Sequence, residues 1–325
     1  MRRGALCALG WLILVAFVAS PSAQGVVQEQ RPTFRAAVDL VSVAAVVRDR
    51  HGRFVHDLQQ KDFSVLEAGH VRPIVEFHAD DDAPVRIALL FDVSGSMQVA
   101  SKIEAARQAA RQVLSSLRLA GRASHDEAAV FSFDTRLQSL QGFTTDPTAI
   151  EDALARVAPF GETSLYDAVA QTARRVAASA DAGAQRRAVI VLTDGVDTSS
   201  RLTPAQVSGI ASEIDVPVYV MAVVSPLDHP GDPESVVPAR GDDPGALQNL
   251  AYWTGGELFM TSAPAHASLA ARQIIDELRH QYVFAFDATP GSGWRRLEVR
   301  TKDRNLTVRA RSGYIAGSTG APLQP

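Results

Sequence analysis

From residue 85 onward the chain alternates between short apolar runs and longer segments in which apolar residues recur every three or four positions. The apolar runs VRIALLF, EAAVFSF, RRAVIVLT and VPVYVMAVV predict strands buried on both faces of a parallel sheet. The segments between them predict helices, and in SKIEAARQAARQVLSSLRL the apolar stripe leaves Lys102, Arg107 and Arg111 mostly outside it. The alternation predicts an α/β fold: a doubly wound, mostly parallel sheet with helices on both faces.

Two local patterns refine this prediction. RLQSLQGF, which directly follows a predicted strand, indicates a short edge strand that forms a hairpin. Asp146 precedes Pro147 at the start of another helical pattern, which is typical of a helix cap followed by proline at the first helical position.

The flanks of this region show strand patterns and turn residues but no helical pattern of useful length. Each flank is too short to bury a good core alone. We therefore expect the two flanks to pair into one smaller β-domain, with the α/β domain inserted between them. The predicted organisation is a signal peptide at 1–25, a linker at 26–33, an N-terminal β-strand module at 34–80, the α/β domain at 84–280, three C-terminal strands within 281–316 that pair with the N-terminal module, and a disordered tail at 317–325.

Residues 1–25 have the three parts of a secretory signal peptide. Two arginines precede an apolar run from Ala5 to Ala19, and small residues follow. The run is shorter than the roughly 20 residues of a membrane-spanning helix, so we expect cleavage after Ala23 or Gly25; the alternative is an uncleaved N-terminal anchor. The sequence thus predicts an exported bacterial protein in the periplasm, on the cell surface or secreted, without a membrane span after cleavage.

Composition narrows the classes of function. A net charge of −4 provides no basic surface for nucleic acid, and 6% aromatic residues argue against a base-stacking surface. The one cysteine, Cys7, lies in the predicted signal peptide. The mature protein would therefore have no disulfide and no thiolate metal site.

Polar residues follow several predicted strands and begin one helix. Asp92, Ser94 and Ser96 come just past the end of the first apolar run, Asp194 follows another run, and Thr163 starts a helix after a glycine-containing loop. Ligands of open α/β sheets bind beyond the carboxyl ends of the strands. If the two strands are neighbours, the two aspartates face one crevice.

Two carboxylates and three hydroxyls without a nearby His or Cys form a set of hard oxygen ligands. This set suits Mg²⁺, with Mn²⁺ or Ca²⁺ as alternatives, and argues against zinc or copper. Only two negative charges would face the dication, so an incoming carboxylate can complete its coordination shell.

The same residues also have structural interpretations. Ser94 or Ser96 can cap the following helix, Thr163 can cap its own helix, and Asp194 in TDG is typical of a turn. Two further aspartates near this face are candidates for a supporting or structural role: Asp134 and Asp197.

DVSGSM at 92–97 resembles the metal-ion-dependent adhesion motif Asp-x-Ser-x-Ser of von Willebrand factor A (vWA) domains. GETSLYDAV is similar to the segment that supplies the motif's threonine, at Thr163, and LTDG to the one that supplies its aspartate, at Asp194. The resemblance covers about Val85 to Arg279, and the flanks are similar to a group of bacterial exported vWA-related proteins.

The resemblance implies direct metal coordination by Ser94 and Ser96. It implies that Thr163 binds directly or through water, that Asp92 and Asp194 act through water or direct bonds, and that a partner's Glu or Asp takes the sixth position. Residues 225–245 form a long Pro/Gly/Asp loop that is expected on the metal face, either as a specificity loop or as a solvated insert. Candidate partner contacts are Gly95, Met97, Gly161, Glu162, Asp228 and His229.

The sequence therefore predicts an exported, divalent-cation-dependent protein-binding or adhesion module that is not an enzyme. It would capture an acidic residue of a partner protein. One alternative is a structural or envelope-assembly component in which the metal braces the loops. A metal-dependent hydrolase is disfavoured, because no His or Lys accompanies the site as a base, and neither a Gly-x-Ser-x-Gly elbow nor a Walker lysine is present.

Overall fold

The structure is a computed structural model that describes residues 40–79, 83–119, 126–159, 161–178, 186–195, 197–213, 215–224 and 245–316. Its strands are β1 (Leu40–Arg48), β2 (Phe63–Glu67), β3 (His70–Arg72), β4 (Glu76–His78), β5 (Val85–Asp92), β6 (Glu127–Phe133), β7 (Leu137–Thr144), β8 (Arg186–Thr193), β9 (Val218–Val223), β10 (Leu258–Thr261), β11 (Tyr282–Asp287), β12 (Gly293–Thr301), β13 (Thr307–Ala310) and β14 (Gly313–Ala316). Its helices are α1 (Lys102–Ser115), α2 (Pro147–Ala155), α3 (Leu165–Ala177), α4 (Pro204–Glu213), α5 (Gly245–Thr254) and α6 (Pro264–Arg279).

A six-stranded sheet forms the centre of the α/β part, in the order β10-β9-β8-β5-β6-β7. Its neighbouring strands are parallel except for β7, which runs antiparallel to β6. Because side chains alternate along a strand, Leu89 of β5 packs in the core with α1, α2 and α6, whereas Leu90 packs in the core with α3, α4 and α5. The predicted doubly wound fold and the edge hairpin are both confirmed.

The start of one helix agrees with the sequence prediction, whereas the burial of the first residue of another helix differs from it. The Asp146 carboxylate accepts a hydrogen bond of 2.9 Å from the Thr148 N–H at the start of α2, as the capping pattern predicts. Lys102, placed off the apolar stripe of α1, is instead buried at 7% exposure. The placement of Lys102 on the exposed side of α1 is therefore wrong. Its ammonium can be buried because it has an acidic neighbour, which the periodicity of the helix does not reveal.

The flanks pair with each other, as expected. Two four-stranded sheets, β13-β1-β11-β4 and β14-β12-β2-β3, each combine strands from both ends of the described chain. Their facing sides share one apolar core that includes Val43, Val65, Phe284 and Leu297. The smaller β-domain formed by the flanks is therefore present, while its predicted residue boundaries stay a prediction.

The C-terminal flank contains four strands rather than the three predicted. LTVRARSGYIA is divided between β13, which pairs with β1, and β14, which pairs with β12. The break falls at Arg311 and Ser312, where the Ser312 N–H donates to the Trp253 carbonyl at 3.0 Å. At this break the backbone forms a hydrogen bond to the α/β part. The chain leaves the first sheet here, at the end of β13, and enters the other sheet as β14.

Buried charges join the β-domain to the α/β part. Glu277 of α6 is fully buried, and its carboxylate forms ion pairs with Arg48 of β1, at 2.6 Å, and with Arg309 of β13. Arg309 also lies 3.2 Å from the Glu257 carboxylate. One carboxylate in the α/β part thus holds two strands of the β-domain.

Within the part of the chain that the structure describes, no helix is both long and apolar enough to cross a membrane. The predicted signal peptide, linker and C-terminal tail lie outside the described residues, as does nearly all of the 225–245 loop.

Candidate metal centre

Asp92 is the last residue of β5, and its side chain is fully buried. One carboxylate oxygen accepts the Ser94 N–H at 2.9 Å, and the other accepts the Thr193 hydroxyl at 2.6 Å. Because Phe91 of β5 lies opposite Leu192 of β8, these parallel strands end side by side. The strand register therefore brings Asp92 of DVSGSM and Asp194 of LTDG to the same edge of the sheet.

Ser94 and Ser96 present their hydroxyls together, with the two Oγ atoms 3.0 Å apart. Ser94 precedes a 3₁₀ turn over Gly95–Ser101, but its side chain makes no capping hydrogen bond to that turn. Nor does a side chain cap α1 at Ser101. The capping interpretation of the serines thus lacks the hydrogen bond that it requires.

Thr163 lies beside the same loop because the Gly95 N–H donates to the Gly161 carbonyl at 3.0 Å. The Thr163 side chain is buried, and its N–H donates to the Thr198 hydroxyl at 3.0 Å. The cap of α3 comes from elsewhere: the Asp197 carboxylate accepts the Leu165 N–H at 2.8 Å. Asp197 therefore has a structural role, which removes the need for the Thr163 hydroxyl as a cap.

Asp194 follows β8, and only 5% of its side chain is exposed. One carboxylate oxygen accepts the Lys102 ammonium at 3.1 Å, while the other is buried without a hydrogen-bond partner among the described residues. The turn is closed by Thr193, whose hydroxyl accepts the Gly195 N–H at 3.0 Å, and Gly195 takes the left-handed φ of 95° that suits glycine. The Asp194 carboxylate does not form this turn hydrogen bond.

The electrostatics of this edge favour a bound cation. Burial raises the pKa of Asp92 to about 6, and the charge of Asp194 adds to the rise, whereas hydrogen bonds from Thr193 and Ser94 oppose it. Two acidic side chains thus lie close together where water is excluded. Opposite charge is the ordinary way to stabilise such a pair.

The donor set fits a hard divalent cation. The unpartnered Asp194 oxygen, the Asp92 carboxylate and the serine hydroxyls are all oxygen ligands. The described residues contain no group of three or more His, Cys, Asp or Glu side chains that could hold a metal ion. Any metal held here therefore needs hydroxyl ligands in addition to the two carboxylates.

Asp134 lies next to this edge but is engaged in its own turn. Its carboxylate accepts the Arg136 N–H at 2.8 Å, and its carbonyl accepts the Ser164 N–H at 2.8 Å. A Cβ on Gly161 would lie 3.1 Å from the Asp134 Cβ, and Gly161 has a φ of 110°. Glycine at 161 thus allows the two loops to approach each other.

The candidate partner contacts fall into three groups. Gly95, Gly161 and Glu162 are exposed at the rim of the site. Met97 is fully buried in the core beneath the sheet edge, which corrects its assignment as a partner contact. The last two candidates, Asp228 and His229, lie outside the described residues.

Lys102 is the residue at this site that the sequence interpretation missed, and it lies there as an ion-paired ammonium rather than as a base. The available signal was its position as the first residue of α1. A cation is unfavourable at the positive N-terminal end of a helix. A buried lysine there indicates a compensating carboxylate.

A separate groove of about 1160 Å³ lies between α4, α5 and the β-domain. Its walls include Tyr252, Trp253, Trp294 and Ile315. None of the five candidate metal ligands lines it. The two features are therefore distinct.

Comparison with known proteins gives a match over the segment that contains the site. Residues 87–196 match the family model of the von Willebrand factor type A domain. No curated protein sequence matches the chain.

Solved structures with a similar fold include BatB from Bacteroides thetaiotaomicron, at 20% identity and a TM-score of 0.47 over 60% of this chain and 98% of that one. A von Willebrand factor type A protein from Catenulispora acidiphila matches at 14% identity and a TM-score of 0.47, over 87% and 76% of the two chains. Proximal thread matrix protein 1 from the mussel byssus, solved with a zinc-occupied metal-ion-dependent adhesion motif, matches at 18% identity and a TM-score of 0.48, over 65% and 49%.

Proposed function

The chain carries a von Willebrand factor type A domain, and we propose that this domain binds a partner protein through a divalent cation. The residues that would hold the cation are Asp92, Ser94, Ser96, Thr163 and Asp194. When bound, the cation supplies a positive centre that accepts a carboxylate oxygen from outside the chain. Mg²⁺ is the proposed ion because all five side chains offer hard oxygen atoms.

The main support is the buried Asp194 oxygen that has no partner among the described residues. A buried carboxylate oxygen without a hydrogen bond is costly, and a cation removes that cost. The buried Asp92 carboxylate and the paired serine hydroxyls lie at the same edge of the sheet and add oxygen donors.

The proposed partner is a protein that offers a Glu or Asp side chain. The exposed rim at Gly95, Gly161 and Glu162 gives such a side chain access to the site. We propose that the protein is exported after removal of residues 1–25, so that the partner lies in the periplasm, on the surface or outside the cell.

A binding role is favoured over hydrolysis by the state of the nearby groups. Lys102 is an ion-paired ammonium and Asp134 accepts hydrogen bonds within its own turn, so neither is placed as a free base. The second candidate, a component of an envelope assembly with a bracing metal, uses the same ligands and differs only in whether the rim contacts a partner.

The test compares wild type with Asp92→Asn, and Asp152→Asn serves as a matched control because Asp152 is exposed on α2. Mg²⁺ at about 100 times its dissociation constant would stabilise wild type by about 2.7 kcal/mol. Thermal melting in EDTA and in Mg²⁺ should show this gain in wild type and the control but not in Asp92→Asn. If neither Mg²⁺ nor Mn²⁺ raises the melting temperature of wild type, the metal site is refuted.

The bracing alternative is tested at the rim by Glu162→Arg. A binding module should keep its metal-dependent gain in melting temperature and lose metal-dependent capture of its partner from envelope extract. Capture that requires metal but is unchanged in Glu162→Arg would instead favour the bracing role.

A further inference from the structure

We propose that Lys102 is an internal counter-cation of the metal site, which weakens metal binding in the absence of a partner and makes occupancy depend on an incoming carboxylate. This inference rests on the proposed metal-binding function. It assigns a role to a residue outside the five-residue motif.

The ion pair between Lys102 and Asp194 is buried. The ammonium lies 3.1 Å from one Asp194 oxygen, and the two side chains are only 8% and 5% exposed. The charge of Lys102 is therefore little screened by water. Since the other Asp194 oxygen remains without a partner in the described residues, the ammonium neutralises the carboxylate without using all of its acceptor capacity.

The backbone that delivers Lys102 is strained. Ala100 and Ser101 have φ values of 53° and 60°, which place two consecutive non-glycine residues in the left-handed region. This conformation is unfavourable for residues with a Cβ and persists only where the surrounding structure holds it. Lys102 also lies at the positive end of α1. Of these features, the carboxylate of Asp194 is the one that favours an ammonium at this position.

A count of formal charges shows the consequence. With Asp92 and Asp194 ionised and Lys102 protonated, the site carries one net negative charge. A bound dication makes it positive by one, and a partner carboxylate then brings it to neutrality. Without Lys102 the dication alone would neutralise the two aspartates. With Lys102 present, the site is therefore neutral when both the metal and a carboxylate are bound. Without Lys102, it would be neutral with the metal alone.

Other carboxylates at this edge do not alter the comparison. The Asp134 carboxylate accepts the Arg136 N–H of its own turn, and the Asp197 carboxylate accepts the Leu165 N–H at the start of α3. Both contribute equally whether or not Lys102 is present. The expected difference therefore comes from one removed charge near the dication.

The experiment measures Mn²⁺ binding by calorimetry to metal-stripped wild type, Lys102→Met and Lys302→Met. Methionine keeps a long apolar stem without the charge, and Lys302 is an exposed lysine outside the site that serves as the control. Removing a cation beside the metal should tighten Mn²⁺ binding by on the order of tenfold. Lys302→Met should match wild type. Acetate, as a simple carboxylate probe, should strengthen Mn²⁺ binding to wild type more than to Lys102→Met.

A second readout needs no metal. In EDTA, Lys102→Met should melt below wild type because the buried Asp194 loses its counter-charge, and Mg²⁺ should raise its melting temperature by more than it raises that of wild type. If Lys102→Met does not fold, Lys102→Gln is measured in its place.

The outcomes separate the two proposals. Equal Mn²⁺ affinity in wild type and Lys102→Met overturns the role of Lys102 and leaves the metal site standing. Weaker binding by Lys102→Met overturns it as well, because Lys102 would then be a positioning residue for Asp194. Absence of Mn²⁺ binding in both proteins overturns the proposed function and the inference that rests on it.

Discussion

Glu277 provides a direct test of how the β-domain is attached to the α/β part. We consider Glu277→Gln, which keeps the size of the side chain and removes its charge. The carboxylate is fully buried and faces Arg48, at 2.6 Å, and Arg309. The variant would leave two guanidinium groups near a neutral amide, whose N–H atoms cannot accept their hydrogen bonds.

The structure sets the expected magnitude. Removing one partner of a buried ion pair costs about 3–5 kcal/mol. Arg48 and Arg309 are 24% and 17% exposed, and Arg309 keeps the Glu257 carboxylate at 3.2 Å, so water and Glu257 compensate part of this loss. We expect the free energy of unfolding to fall by about 3 kcal/mol, at the lower end of that range. With an unfolding entropy of about 2.1 cal/mol/K per residue, the 325-residue chain should then melt about 4–5 °C lower.

Glu298→Gln is the matched control. The Glu298 carboxylate lies 2.6 Å from Arg300, the same separation as between Glu277 and Arg48, but these two side chains are 39% and 59% exposed. An exposed pair of this kind contributes no more than about 1 kcal/mol. The two carboxylates therefore share one ion-pair distance and differ in burial and in the number of arginine partners.

The assay is urea denaturation followed by circular dichroism, with calorimetry for the melting temperature. Glu277→Gln should lose at least about 2 kcal/mol more than Glu298→Gln. Equal losses in the two variants would refute the reasoning that burial makes the Glu277 pair important. A second, separate transition in Glu277→Gln would show in addition that this carboxylate couples the two parts of the fold.

Two further predictions concern the β-domain. Burial raises the pKa of the Glu67 carboxyl, but hydrogen bonds from Thr289 and Tyr314, with the nearby charge of Arg72, outweigh it and hold the pKa below its usual 4.5. A lowered pKa stabilises the fold above pH 4.5, and this gain is lost as the pH falls through the folded-state pKa. Glu67→Gln should therefore lower the free energy of unfolding by about 2 kcal/mol at pH 7 and by clearly less near pH 3. A loss measured by urea denaturation that does not change with pH would contradict this. Ala68 has a φ of 49° in the turn between β2 and β3, so Ala68→Asn should raise the free energy of unfolding by about 0.5 kcal/mol, and a measured loss would show that the turn is not strained.

Local patterns were sufficient for much of the fold. The alternation of apolar runs with helical stripes predicted the doubly wound sheet, and Asp146 before Pro147 predicted the start of α2. These features depend on residues within a few positions of one another, which periodicity and capping preferences describe directly. The assignment of five residues as metal ligands came from sequence as well and stays a prediction.

Other features depended on which distant surfaces meet. The sequence placed Lys102 outside the apolar stripe, yet the end of β8 brings Asp194 within 3.1 Å of it. The sequence pattern is typical of a cap at Thr163, but Asp197, 32 residues along the chain from Leu165, caps α3 instead. Neither partner is close in sequence to the residue that it binds.

The sequence by itself thus determined the four apolar strands of the central sheet, the start of α2 and the hydroxyl and carboxylate residues at the strand ends, because each follows from its neighbours along the chain. Only the tertiary structure decided that β5 and β8 lie side by side, that β13 and β14 separate into different sheets, and that Glu277 faces Arg48 and Arg309. The physical reason is that the energy of a buried charge depends on what lies within a few ångströms of it, and the fold brings those groups together from distant parts of the chain.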